Sequence, residues 1–178
     1  MNSVKLYFRS LILLLLIAII YQPAAARVED GTVVDPAVIR PLMKWVEQRT
    51  GQTVPVLPRV VASRIEFQKI LASMGSEFEG RPQALYIPGT IYVDHLRWDP
   101  EDYVQLSLVI HEMVHHAQLF MTDRKWPCPD ARETQAYQLQ NQWLSENNHY
   151  PFVQAAWIER VSACPAQDHP LQLAQQPN

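Results

Sequence analysis

Residues 106–117 read Leu-Ser-Leu-Val-Ile-His-Glu-Met-Val-His-His-Ala. Leu106, Val109, Ile110, Met113, Val114 and Ala117 recur at helical spacing and cover most of a helix's circumference, so this helix belongs inside the protein, between other elements. A buried helix that also carries His111, Glu112 and His115 must give those groups partners. Two imidazoles four positions apart lie on one side of a helix, about 6 Å apart along its axis. Both can reach one cation while Glu112 faces its open coordination position.

The helix has a start signal upstream: Asp99 as N-cap, Pro100 at the first helical position, and Glu101 and Asp102 in the first turn. It is expected to run to about Phe120. Before it, Ala84-Leu85-Tyr86-Ile87 and Thr90-Ile91-Tyr92-Val93 flank Pro88-Gly89, two β-prone runs joined by a turn pair, which is a hairpin. Earlier still, Asp35-Pro36 opens a helix through Leu42, Met43, Trp45 and Val46 to Gly51, in which Pro41 is either a kink or the true start. Val54 to Val61, broken by Pro55 and Pro58, reads as short extended pieces that include an edge strand. Ser63-Arg64-Ile65-Glu66 has the form of a capping box for a second helix ending near Gly75.

After the histidine-bearing helix, Thr122 to Pro129 reverses the chain. Asp130 then caps a helix in which Glu133, Tyr137, Gln140 and Leu144 share one face. A last helix is expected from Phe152 to Ala163, and the residues beyond Gln167 read as a loose polar tail. The fold class is therefore α+β, with a short hairpin or sheet, one buried helix and an adjacent helix that bears Glu133.

The first residues are a separate matter. Lys5 and Arg9 precede an uncharged run, Leu11 to Ile20, which leads to Ala24-Ala25-Ala26. That order reads as an export signal over residues 1–26, cut after Ala26. The apolar run is short against the roughly 20 residues a spanning helix needs. The remaining 152 residues, Arg27 to Asn178, form one domain over 27–167 and a tail over 168–178.

The whole chain carries 15 basic and 18 acidic residues. The signal holds two of the bases and no acid, which leaves the rest at a net charge of −5. That balance gives no reason to expect nucleic acid, or membrane after signal cleavage, as a partner. Two cysteines, Cys128 and Cys164, in an exported chain imply a disulfide.

A catalytic zinc ion takes three protein ligands and a water. His111 and His115 supply two. Glu133, in the first turn of the next helix, is the leading third ligand, with Asp123, Asp130, His116 and His149 also within reach. His116 points about 100° away from His115 around the helix and reads as a partly exposed histidine. Tyr86 and Tyr92 read as packing residues, and Trp45, Trp98, Trp126, Trp143 and Trp157 as core or rim.

On the motif His111-Glu112-Met113-Val114-His115 and the downstream Glu133, the chain resembles the zincin metallopeptidases of the gluzincin kind, in particular their minimal single-domain members. The resemblance covers roughly Pro36 to Leu144. It implies a zincin-like domain that binds Zn2+ through His111, His115 and Glu133, with Glu112 as general base and a peptide or protein as substrate. Thermolysin-like members often place an aspartate four residues after the third ligand; here that position is Tyr137. Its hydroxyl has two uses open to it, accepting an imidazole N–H or donating to a developing oxyanion. His149 and Tyr150 are further candidates for the oxyanion role. The strand Thr90 to Val93 is expected to offer its edge to an extended peptide. The competing reading is an exported protein that holds metal without turnover, and hydrolysis of a non-peptide amide is a third.

Overall fold

The computed structural model describes residues 28–74 and 82–165. The expected signal over 1–26 and the tail over 168–178 lie outside these residues. Among the described residues the protein is a small α+β structure of five helices and a four-stranded mixed sheet. In chain order the elements are β1 (Thr32–Val33), α1 (Pro36–Thr50), β2 (Arg59–Ala62), α2 (Arg64–Ser73), β3 (Ala84–Ile87), β4 (Thr90–Val93), α3 (Tyr103–Gln118), α4 (Glu133–Glu146) and α5 (Ala155–Val161).

Helix α1 starts where Asp35 accepts a hydrogen bond from Ala37 N at 2.8 Å, and it ends at Gly51, whose φ of 70° only glycine adopts at little cost. Pro41 neither starts the helix nor stops it. It lies on the exposed side of the second turn, while Ile39, Leu42, Met43 and Val46 point into the core. Helix α2 has half of the expected capping box: Ser63 Oγ accepts from Glu66 N at 3.2 Å. The Ser63 amide donates to Val93 O at 2.9 Å, so it has no need of the Glu66 carboxylate, which faces Lys69.

The sheet order is β1-β2-β4-β3. Strand β2 pairs antiparallel with β1 and parallel with β4, and β3 pairs antiparallel with β4 across the Pro88-Gly89 turn. Two expectations about edges are thereby overturned. The Val54–Val61 region leads into an interior strand, and Thr90–Val93 is interior too, because β2 takes the side that a hairpin alone would leave open. The edge next to α3 is β3.

Helix α3 runs across this sheet and packs against β3, β4, α1 and α4. Val109, Ile110, Met113, Val114 and Ala117 are wholly buried, as their all-round apolar pattern requires. Its N-cap is Asp102, whose carboxylate accepts from Val104 N at 2.7 Å. Asp99 instead accepts from Glu101 N at 2.8 Å and closes a local turn, so the Asp-Pro signal marks the turn before the helix. Asp130 likewise begins a single 3-10 turn, Asp130–Arg132, with no side-chain cap, and α4 proper begins at Glu133.

Helix α5 is shorter than expected and is fastened at both ends. Asn141 on α4 accepts from Phe152 N at 2.8 Å and donates to Val153 O at 2.8 Å. Beyond the helix, the expected Cys128–Cys164 disulfide ties its far end to the loop before Glu133.

Two stability tests follow from these contacts. Asp102→Ala is expected to destabilise the protein by about 1 kcal/mol in urea unfolding, more than Asp99→Ala does. Opening the disulfide in a Cys128→Ser, Cys164→Ser variant is expected to lower stability by about 3–4 kcal/mol on loop entropy, read in the same experiment.

Candidate metal centre

Because α3 is pinned on all sides, its one polar stripe faces the N-terminal turn of α4. His111 Nε2 lies 3.2 Å from His115 Nε2. The Glu133 carboxylate lies across both, with Oε2 3.3 Å from His111 Nε2 and Oε1 3.1 Å from His115 Nε2. Among the described residues these three side chains form a cluster able to hold a metal ion. Asp123, Asp130, His116 and His149 are not part of it.

The donor set fits a small divalent cation. Atoms bound at about 2.0–2.1 Å with tetrahedral angles stand about 3.3 Å apart, close to the spacings found here. A bound imidazole must present a bare nitrogen, and for His115 the surroundings decide which one. Gln118 Nε2 donates to the backbone carbonyl of Arg132 and to Gln135 Oε1, each at 3.1 Å. Its carbonyl oxygen therefore faces His115 Nδ1, 3.0 Å away, and that nitrogen must carry the proton. Nε2, which faces Glu133, is thus the nitrogen that would give up its proton to a bound cation. His111 has no such support: its Nδ1 is buried without a hydrogen-bond partner among the described residues.

The electrostatics agree with a site built for positive charge. Burial alone would raise the Glu133 carboxyl, but hydrogen bonds from both imidazoles hold it well below the usual carboxylate range. Burial alone would lower His115; the bond to Glu133 and the charges of Glu112 and Glu133 outweigh it and raise the ring. A metal ion supplies to these carboxylates what the proton otherwise does. Burial pushes the Glu112 carboxyl up, against the pull of the two imidazoles and with a contribution from Glu133, which suits a group that takes and returns protons.

The cluster opens into a cleft of about 750 Å³. Glu112, Tyr137 and the ligand residues line it, with β3 (Ala84, Leu85, Tyr86) and α5 (Trp157, Arg160) among its walls. Tyr137 lies edge-on to His111, ring centroids 4.4 Å apart, and burial raises its phenol. It does not hydrogen-bond the orphan His111 nitrogen, so of its two expected uses the imidazole-holding one is not realised. His149 stacks on Tyr103 at 5.4 Å, and Tyr150 is exposed; neither lines the cleft.

His116 is buried, not partly exposed. Its Nε2 lies 2.7 Å from the Val56 carbonyl and so carries the proton, and Nδ1 accepts from the Tyr86 hydroxyl at 2.8 Å. Tyr86 oxygen in turn accepts from Gly89 N at 3.1 Å. The histidine read as partly exposed thus locks β3 and its turn to α3, and Tyr86 is more than packing. Gln118 was also missed, although its place three residues after His115 puts it on the same helical face. Trp157, taken as core or rim, is part of the cleft wall.

Residues 31–171 match the family described as a domain of unknown function (DUF6647). The chain belongs to that family. Comparison with curated proteins and with solved structures gives no match in either set.

Removing the support under His115 should be felt at the metal. Gln118→Leu is expected to weaken metal affinity by about 10–100-fold, measured by competition with a chromogenic chelator, with the far-ultraviolet circular dichroism unchanged.

Proposed function

We propose that this protein is a zinc-dependent hydrolase of the gluzincin type, exported, with peptides as its substrates. The observation that carries the reading is the approach of His111 Nε2 and His115 Nε2 to 3.2 Å of each other, with one Glu133 carboxylate oxygen 3.3 Å from the first and the other 3.1 Å from the second, in a cleft that Glu112 also lines. A structural zinc site closes its fourth position with protein; among the described residues this cluster has three members. The disulfide suits an oxidising compartment, and among the described residues no helix is long and apolar enough to cross a membrane.

In this reading His111, His115 and Glu133 hold the ion. When bound, zinc supplies Lewis acidity, polarising a scissile carbonyl and lowering the pKa of water to about 7. Glu112 accepts the proton of the attacking water and passes it to the leaving amine. The Tyr137 hydroxyl, kept protonated by its burial, donates to the oxygen on which charge develops. The free edge of β3, along the cleft wall, offers backbone groups to an extended peptide, the role that the sequence assigned to Thr90–Val93. The link from Tyr86 through His116 keeps that edge at a fixed height over the ligands.

Glu112→Gln separates holding the metal from using it. The variant is expected to retain one zinc per chain by elemental analysis while cleavage of a quenched-peptide library falls by about 10²–10⁴-fold. Equal cleavage by both forms, or none by the wild type with zinc bound, would overturn the proposal.

A further inference from the structure

The arginines of the fold are not all treated alike. Arg49 pairs with Glu146 at 2.9 Å, and Arg64 faces Asp94. Arg132 and Arg160 both line the cleft, and among the described residues neither makes an ion pair. Arg132 directly precedes the ligand Glu133, and its Nε is buried without a hydrogen-bond partner among those residues. Its terminal nitrogens also have no hydrogen-bond partner among those residues and are not closed off as Nε is, so they are the donors left to an acceptor in the cleft. Arg160 projects from α5 with its guanidinium 4.4 Å from the Trp157 ring centroid. Stacking of that kind orients the plane and leaves its N–H edge free for a two-pronged contact with a carboxylate.

The acids of the cleft do not cancel these charges. Glu112 and Glu133 belong to the candidate metal centre, and Asp130, the remaining acid of the lining, makes no ion pair with either arginine among the described residues. The wall is also firm: Asn141 and the disulfide hold α5 at its two ends, so Arg160 is presented from a fixed helix.

We propose that Arg132 and Arg160 form an anion-recognising subsite that selects peptides bearing a carboxylate near the bond over the metal centre. The inference rests on the peptidase reading for the kind of ligand, a peptide. The carboxylate has two sources, an acidic side chain or the free C-terminus, and both present the same planar acceptor to the two guanidinium groups.

The test uses the zinc-loaded, disulfide-intact protein carrying Glu112→Gln, so that ligands survive the measurement. The ligands are hexapeptides of one neutral sequence in which glutamine is exchanged for glutamate at each position in turn, each made with a free and an amidated C-terminus. Calorimetry is expected to show at least one carboxylate-bearing peptide binding about tenfold or more tightly than the neutral amidated one. The gain should shrink with added salt. A preference confined to free C-termini assigns the terminal carboxylate, and one confined to a glutamate position assigns a side chain. Arg160→Gln, on an exposed side chain, is expected to remove part of the gain, and Arg132→Lys, which keeps the charge and loses the fork, another part.

No carboxylate-bearing peptide binding more tightly than the neutral one, or a preference left intact in both variants, would overturn the subsite. Parallel cleavage assays on the wild type separate the two claims. Cleavage without an acidic preference sinks the subsite and leaves the peptidase; preferred binding by a protein that cleaves nothing sinks the peptidase and leaves the subsite.

Discussion

Helix α3 is apolar on nearly every side, and that constraint organises the rest of the structure. A helix of this kind cannot lie on a surface; it must be covered by the sheet on one side and by α1 and α4 on others. The coverage leaves one polar stripe, and α4 meets it with the first residue of its own first turn, Glu133. The His111–His115–Glu133 cluster thus lies where the buried helix meets the start of α4, and its geometry is held by the packing of Val109, Ile110, Met113, Val114 and Ala117 as much as by its own polar contacts.

Around that centre the polar groups are arranged with unequal care. His115 has a chain of support running through Gln118 to the backbone of Arg132, so the residue that orients this imidazole is tied to the turn that delivers Glu133. His111 is held by packing against Tyr137 and by its neighbours in the cluster, with Nδ1 without a hydrogen-bond partner among the described residues. An aspartate at position 137 would serve an imidazole; a tyrosine there gives up that bond and puts a phenol into the cleft. On the far side His116 and Tyr86 form a second chain, which fastens the open strand to the same helix. One helix therefore sets the relative positions of the two clustered imidazoles, the Glu112 carboxylate and the sheet edge.

Much of this was legible before any coordinates. Periodicity located the buried helix, the Pro88-Gly89 pair located the hairpin, and an even cysteine count located the disulfide. His111 and His115 followed from spacing, and Glu133 led several candidates for a third donor on a neighbouring element; the structure brings these three together. What escaped was decided by partners distant in the chain. Thr90–Val93 looks like an edge until β2 pairs beside it, and His116 looks exposed until Val56 and Tyr86 close over it. Asp99 and Asp102 are both reasonable caps by composition; the backbone direction chose the second. His149 and Tyr150 are near the helices in sequence, yet the turn after α4 carries them away from the cleft.

The amino-acid order alone determined where the main helices lie, which face of each is apolar, and that His111 and His115 share one side of a helix, because these depend on repeats of 3.6 and 2.0 residues and on local turn chemistry. Tertiary structure alone decided which strand is the edge, which nitrogen of His115 faces Glu133, and which third residue joins the two histidines. Those are properties of contacts between residues far apart in the chain, and no local rule specifies the packing that brings them together.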